Sequence, residues 1–349
     1  MKKHLFLTLA IAALPTGFRA QTPHAVIEGS GFVFEVKSTP ACHAATLAET
    51  APGRLMAAWF GGSYEGAKDV GIYTAGFRHG RWGNPVRTVE PKISGNDTLP
   101  CWNPVLFKSQ RGTLYLFYKT GKNPREWTGA YICSHNKGKS WSKPIELPDG
   151  ILGPIKNKPI EVCRGTILCP SSTESIVDDL WRAHVEIFDE ATNTWHKVDV
   201  DHASGFDVIQ PTLLAHSAQR IQMLCRSRHD KVIGAWSDDG GLTWGKLDSL
   251  NVPNSNSGID GTALQTGGFL LVNNPLPKGP DWFYGRHVLD LEYSPDGIAW
   301  RKLLDLEHEG KGEFSYPAII QTKHGKVHIV YTYNREKIKH VTVSVPPSH

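Results

Sequence analysis

Six polar residues lead into strand-like runs at near-regular intervals. They are His43 (Cys-His-Ala-Ala-Thr-Leu), Asn103 (Asn-Pro-Val-Leu), Lys158 (Lys-Pro-Ile), Gln210 (Gln-Pro-Thr-Leu), Asp260 (Asp-Gly-Thr-Ala-Leu) and Tyr316 (Tyr-Pro-Ala-Ile). Their spacings are 60, 55, 52, 50 and 56 residues. Gathered at one place, these imidazole, amide, ammonium, carboxyl and phenol groups could move protons or attack a carbon.

A second group of chemically capable residues lies between the runs. The glycine-bounded stretch Gly61–Asp69 carries Glu65 and Asp69, and Arg125-Glu126-Trp127 follows in the next unit. Further on come Glu174 and Arg182, then Arg226, Arg228 and His229, then Asn273-Asn274-Pro275 leading to Arg286, and finally Tyr333-Asn334-Arg335. A guanidinium grips a carboxylate or sulfate through two parallel N–H groups, and aromatic faces stack on pyranose rings. Several arginines around one pocket with Trp and Tyr platforms therefore suit an anionic sugar. Any one of them alone would equally serve as a surface ion pair.

What must position these groups is an array of short strands. Apolar or alternating runs such as Arg54–Phe60, Val70–Ala75, Thr113–Tyr118, Arg220–Arg226, Val232–Ser237, Phe269–Asn273 and Lys326–Tyr331 are broken by Gly, Pro, Asn or Asp, with almost no helical period. A turn of acidic and glycine residues closed by tryptophan, Ser237-Asp-Asp-Gly-Gly-Leu-Thr-Trp244, recurs as Ser134–Trp141 and Ser294–Trp300, with weaker copies at Asp189–Trp195 and Arg78–Trp82. These tryptophans are 59, 54, 49 and 56 residues apart. Two independent markers with one period imply units of about fifty residues, each four strands. The expectation is all-β: a six-bladed β-propeller with four-stranded antiparallel blades around a channel. The six leading residues and the loops joining second to third strands would share one rim, with the Trp turns opposite. The sixth unit lacks its Trp turn, and the N-terminal strand Ala25–Val36 can supply the missing edge, giving a single domain over 21–349.

Composition narrows the partners. A net charge of +4 and pI near 8.6, without a Lys/Arg run, exclude a nucleic-acid footprint. Lys2 and Lys3 before the apolar Leu5–Leu14 read as a signal peptide over 1–20, too short to span a bilayer, so the chain is expected to be exported. Six cysteines are scattered singly and read as small buried hydrophobes, with one disulfide open as an alternative. No metal-binding spacing occurs, and no cofactor is expected. A monomer acting on an acidic oligosaccharide or glycoconjugate is the expected form.

These residues resemble the sialidase superfamily, specifically bacterial sialidase-like proteins with Asp-box (BNR) repeats, over essentially the whole chain after residue 20. Met223-Leu-Cys-Arg226-Ser looks like the segment carrying that family's second carboxylate-binding arginine, and Asn274-Pro275 with Arg286 like the third. The resemblance implies that Tyr316 is the nucleophile. It also implies that the Glu65–Asp69 loop supplies the acid/base, with Asp69 preferred. Two positions depart from the pattern. His43 stands where the first arginine is expected, and Gln210 replaces the glutamate that would polarise the tyrosine; Glu313, three residues before Tyr316, is the substitute base considered. Asn103, Asp260, Arg228, Arg335 and Trp127 complete the expected substrate-binding set.

Three functions follow from one pocket. The first is an exo-glycosidase removing terminal acidic sugars, with Tyr316 as nucleophile and Arg226 and Arg286 as clamp. The second is a lyase on uronate glycans using His43 and Tyr316 as base and acid. The third is a propeller that binds glycans without turning them over.

Overall fold

The computed structural model describes residues 23–281 and 283–346. The segment read as a signal peptide lies outside them. The described residues form strands and turns without a helix, so none is long and apolar enough to cross a membrane.

Six antiparallel sheets follow one another around a ring. Blade 1 comprises Ala41–Ala51, Arg54–Gly62 and Gly71–Arg78, with an outer edge divided between Arg81–Trp82 and Val86–Val89. Blade 2 runs Cys101–Lys108, Leu114–Thr120, Thr128–Ser134 and Ile145–Glu146, and blade 3 runs Ile160–Cys163, Thr166–Glu174, Trp181–Asp189 and Thr194–Asp199. Blade 4 is Val208–Ala215, Ile221–Ser227, Lys231–Ser237 and Asp248–Pro253; blade 5 is Asp260–Ala263, Phe269–Asn273, Val288–Ser294 and Arg301–His308. Blade 6 is Phe314–Gln321, Val327–Tyr333 and Lys337–Ser344, with Val26–Phe32 paired onto its outer side.

The core is divided among the blade interfaces. Trp59, Leu47, Val330 and Ile338 pack blade 1 on blade 6, Phe60, Ile72, Leu106 and Leu116 pack blade 1 on blade 2, and comparable clusters join the remaining neighbours. A middle strand is therefore covered on both faces, which is why Ile221–Ser227 is buried throughout instead of alternating.

Three of the five Trp turns share one clasp. Asp239 accepts the backbone N–H of Leu242 and Thr243, and Ser237 Oγ accepts that of Gly241 at 2.8 Å. Asp296 and Asn136 repeat the pattern on Ile298, Ala299 and Ser140. The other two differ. Asp189 holds only Ala191 and Thr192, and Arg78–Trp82 is a tight hairpin whose tryptophan donates to His340 Nδ1 at 3.2 Å. All six cysteines are free thiols.

The inner strands carry the feature that positions the site. In blades 1, 2, 4 and 6 the pairing slips, and one residue takes a left-handed backbone: Ala44 (φ 54°), Asn103 (φ 34°), Gln210 (φ 53°) and Tyr316 (φ 52°). In three of these blades the next residue is proline, which a bulge tolerates because no ladder donor is lost there. A non-glycine residue in this region carries strain of about 1–3 kcal/mol, which the surrounding sheet must hold.

This register corrects the equivalence read from sequence. Ala44, not His43, matches Asn103, Gln210 and Tyr316, so blade 1 contributes only a methyl group at the bulge. His43 is one residue earlier and packs against the Tyr316 ring, with centroids 4.2 Å apart.

Candidate active site

Tyr316 stands at the centre. Its hydroxyl oxygen accepts a hydrogen bond from Arg226 Nη1 at 2.7 Å and one from Gln210 Nε2 at 3.3 Å. Arg226 Nη1 also reaches Gln210 Oε1 at 3.2 Å, and its Nε donates to Asn256 Oδ1 at 2.9 Å. The Arg226 guanidinium carbon lies 5.3 Å from the Trp181 ring centre and 5.8 Å from that of Tyr316. Arg286 approaches the same phenol ring, also at 5.8 Å. Two cations thus flank one phenol in a nearly buried setting, where a charge-assisted bond is worth most.

Glu313 does not reach Tyr316 as a base. Its carboxylate is held between Arg286 Nη1 (2.9 Å) and Arg335 Nε (2.7 Å), and Ser315 Oγ donates to it as well. Burial pushes this carboxyl up, but Arg335 and Arg286 override that and hold it below its ordinary value. Arg335 also pairs with Glu65, tying the first loop to blade 6.

His43 is 2% exposed, and neither ring nitrogen has a hydrogen-bond partner. Burial first, then Arg335, Arg286, Lys156 and Arg226, push it well below 6.5, so it is a neutral imidazole. Lys156, under the Tyr316 ring at 5.9 Å, donates to Asn157 and to the carbonyls of Ile259 and Pro317. Burial lowers its ammonium to about 7.

The first-loop carboxylates differ in placement. Asp69 accepts the Ser63 N–H and hydroxyl, the latter at 2.7 Å, and these bonds hold it ionised below its ordinary value. It is a clasp within the loop, whereas Glu65 lines the cavity above Tyr316.

Two further expected binding residues are committed elsewhere. Asp260, 1% exposed, takes hydrogen bonds from Lys158 Nζ (2.9 Å), Thr212 Oγ1 (2.8 Å) and the Ile319 N–H (2.9 Å), so two of the six leading residues neutralise each other across the channel. Arg228 stacks on Trp181 at 4.2 Å and donates to Asp179, beside Asp207. Asn103 and Trp127 do line the central cavity, together with Trp102 and Trp181.

Trp181, Asn256 and Lys156 also surround Tyr316 and were left out by sequence reasoning, which named Glu174 without giving it a role. Trp181 and Glu174 flank an acidic loop without a recognisable motif. Asn256 belongs to the polar run Asn254-Ser-Asn-Ser257, which reads as an ordinary turn. Glu174 is pushed up by burial, which outweighs Arg226, Arg125 and Arg228. A concavity of about 890 Å³ lies between Gly29–Ser38 and the Trp82 corner and contains none of the Tyr316 group.

A ring of six blades with clasped turns defines a six-bladed β-propeller, with a phenol between two arginines at its centre. The chain belongs to the BNR repeat-like domain family, whose model matches residues 53–329. No curated protein matches its sequence. Among solved structures it is similar to a protein of unknown function from Dyadobacter fermentans, at 14% identity and TM-score 0.76, covering 93% of this chain and all of that one. It is similar to the NanB sialidase from Streptococcus pneumoniae at 11% identity and TM-score 0.70, covering 90% and 70% of the two chains. It is also similar to Trypanosoma rangeli sialidase in complex with sialic acid, at 14% identity and TM-score 0.66, covering 93% of this chain and 58% of that one. Identities this low establish a shared fold.

Proposed function

We propose that this chain is an exported exo-glycosidase that hydrolyses terminal carboxylated sugars, sialic acid or a related acidic sugar, from glycans. Residues 1–20 would be its leader and 21–349 one propeller domain acting as a monomer. The observation that carries the reading is Tyr316 flanked by Arg226 and Arg286 at the base of an aromatic-walled cavity. The two guanidinium groups suit a sugar carboxylate, and the Arg226 bond to the phenol oxygen favours the phenolate that attack requires.

His43 is a neutral imidazole beside the Tyr316 ring, its basicity depressed first by burial and then by four cations. Tyr316 Oη attacks the anomeric carbon and releases its proton to solvent, while a wall carboxyl protonates the departing oxygen. Water then displaces the tyrosine. Turnover of sialylated or uronate-bearing oligosaccharides, lost in Tyr316→Phe with folding intact, is the expected result. Full activity in that variant would reject the assignment, and binding without turnover of any acidic glycan would leave a glycan-binding propeller.

Gln210 favours a second reading, β-elimination on a uronate. A neutral amide beside the arginines tolerates a bound carboxylate where a glutamate would repel it, and His43 and Tyr316 could serve as base and acid. Ultraviolet absorbance from an unsaturated product distinguishes the lyase.

A further inference from the structure

The central cavity has a neighbour between blades 2 and 3. The central cavity, about 190 Å³ in volume, is walled by Glu65, Trp102, Trp181, Arg226 and Tyr316 and, on the side of blades 2 and 3, by Pro124, Trp127 and Glu174. These last three also wall a second cavity of about 250 Å³ between the blades, closed by Arg125, Leu147, Ile151 and Leu152. Each is smaller than the roughly 300 Å³ typical of the smallest ligand pockets, whereas the pair together falls within that range. Trp127 is 8% exposed and braced edge-on against Trp102, with centroids 6.1 Å apart, so its ring is held in place where the two cavities adjoin. The second cavity combines apolar side chains with Arg125 and Asp149 at its rim, a composition suited to a pyranose with its apolar face and hydroxyl edge.

We propose that a second saccharide unit occupies the cleft between blades 2 and 3, and that Glu174 donates a proton to the oxygen linking it to the acidic sugar. This rests on the acidic-sugar reading above. With the carboxylate at Arg226 and Arg286, the acidic sugar fills the central cavity and its neighbour passes the shared wall. The linkage oxygen then lies beside Glu174. The alternative exit, past His43 and Arg335, shares only Glu65 with the central cavity. Glu65 is itself engaged by Arg335. Glu174 is the carboxyl that burial shifts toward its protonated form. In the step, the anomeric C–O bond breaks with its electron pair remaining on the linkage oxygen, which takes the Glu174 proton. The carboxylate later recovers a proton from the water that completes hydrolysis.

The test compares substrates that differ in their need for an acid. Wild type, Glu174→Gln, Glu65→Gln and Ile151→Trp are assayed on methylumbelliferyl sialoside and glucuronide, whose leaving groups depart without protonation, and on sialyllactose and a glucuronyl disaccharide. Glu174→Gln is expected to lower kcat/KM on the disaccharide-type substrates about 100-fold or more while sparing the aryl glycosides, and to remove the alkaline limb of the pH profile. Ile151→Trp is expected to raise KM for sialyllactose about tenfold relative to the aryl sialoside, since it fills the second cavity. Equal losses on both substrate types, or a leaving-group effect confined to Glu65→Gln, would overturn the assignment of Glu174. If wild type turns over none of the four, the hydrolase reading fails and calorimetric binding decides the subsite. Affinity for sialyllactose or the glucuronyl disaccharide that Ile151→Trp weakens at least fivefold sustains it; unchanged affinity, or no binding, overturns it.

Discussion

Arg226 Nη1 donates to the hydroxyl oxygen of Tyr316 at 2.7 Å while Arg226 Nε is held by Asn256 Oδ1 at 2.9 Å. The guanidinium is thereby fixed in plane, with one edge aimed at the phenol and its face toward Trp181. A lysine could supply the charge but neither the fork nor the second tether. Arg226→Lys is therefore expected to lower kcat/KM on an acidic aryl glycoside about 10- to 100-fold, the range given by roughly 1.5–3 kcal/mol for a hydrogen bond to a charged group. Asn256→Ala should cost less, because the arginine remains and only its tether is lost. Steady-state kinetics on both variants checks the order.

Asp69 and Glu65 make opposite predictions. Asp69 is engaged by the Ser63 N–H and hydroxyl, and its carboxylate lies within the loop. Asp69→Asn should therefore shift KM through loop disorder and leave the shape of the pH–rate profile unchanged. Glu65 lines the central cavity and is paired with Arg335, so Glu65→Gln should lower kcat, and to the same extent on aryl and disaccharide-type substrates. A profile altered only in Asp69→Asn would restore Asp69 to the chemistry.

The blades were legible in the chain because a leading polar residue recurs in all six and a Trp turn in five of them, and burial on both faces of the middle strands makes their apolar runs continuous. Tyr316 and Arg226 were legible for the same reason, since the period shows where an inner strand begins and where the second strand ends; Arg286, in the loop before a third strand, was legible only through the family resemblance. Register was not. A bulge adds one residue to one strand, so the place of Tyr316 in blade 1 falls to Ala44 while His43 moves against the phenol ring. The pairing of Lys158 with Asp260 spans 102 residues, and no local pattern records it. Which carboxylate of a glycine-rich loop turns inward depends on the Ser63 N–H, which a sequence does not display.

Glu313 links two arginines, and its removal tests what they need. Arg286 and Glu313 have side chains only 3% and 13% exposed, so the pair is poorly screened. Glu313→Gln keeps the shape but leaves Arg286 and Arg335 without their shared counter-charge. Breaking a buried pair from one side costs about 3–5 kcal/mol, and a loss of about that size is expected in chemical denaturation. Activity should fall with it, because Arg286 loses one of the bonds that hold it against the Tyr316 ring. A variant as stable as wild type would show that substrate-free Arg286 is held mainly by other contacts.

The blade 1–blade 6 seam should weaken in acid. Trp82 Nε1 donates to His340 Nδ1 at 3.2 Å, which leaves His340 Nε2 to carry the proton toward His328 Nδ1 at 2.9 Å. Both rings are 7% exposed and stacked at 5.2 Å, so the chain has no room for another proton. Burial first, then Lys326 for His328 and His328 for His340, hold both imidazoles well below 6.5. The unfolded chain takes up protons as pH falls through 6.5 while the folded chain does not. Their contribution to stability is therefore complete above that pH and declines below it, at up to about 1.4 kcal/mol per pH unit for each ring. Glu292, pushed up to about 7 by burial, acts in the opposite sense over the same range, so the diagnostic quantity is a difference between variants. His340→Gln, which can accept and donate but cannot titrate, should be less stable than wild type at pH ~7.5 and lose less stability on acidification to pH ~5. Urea denaturation at the two pH values measures this, and parallel losses in both proteins would remove the histidine pair from the account.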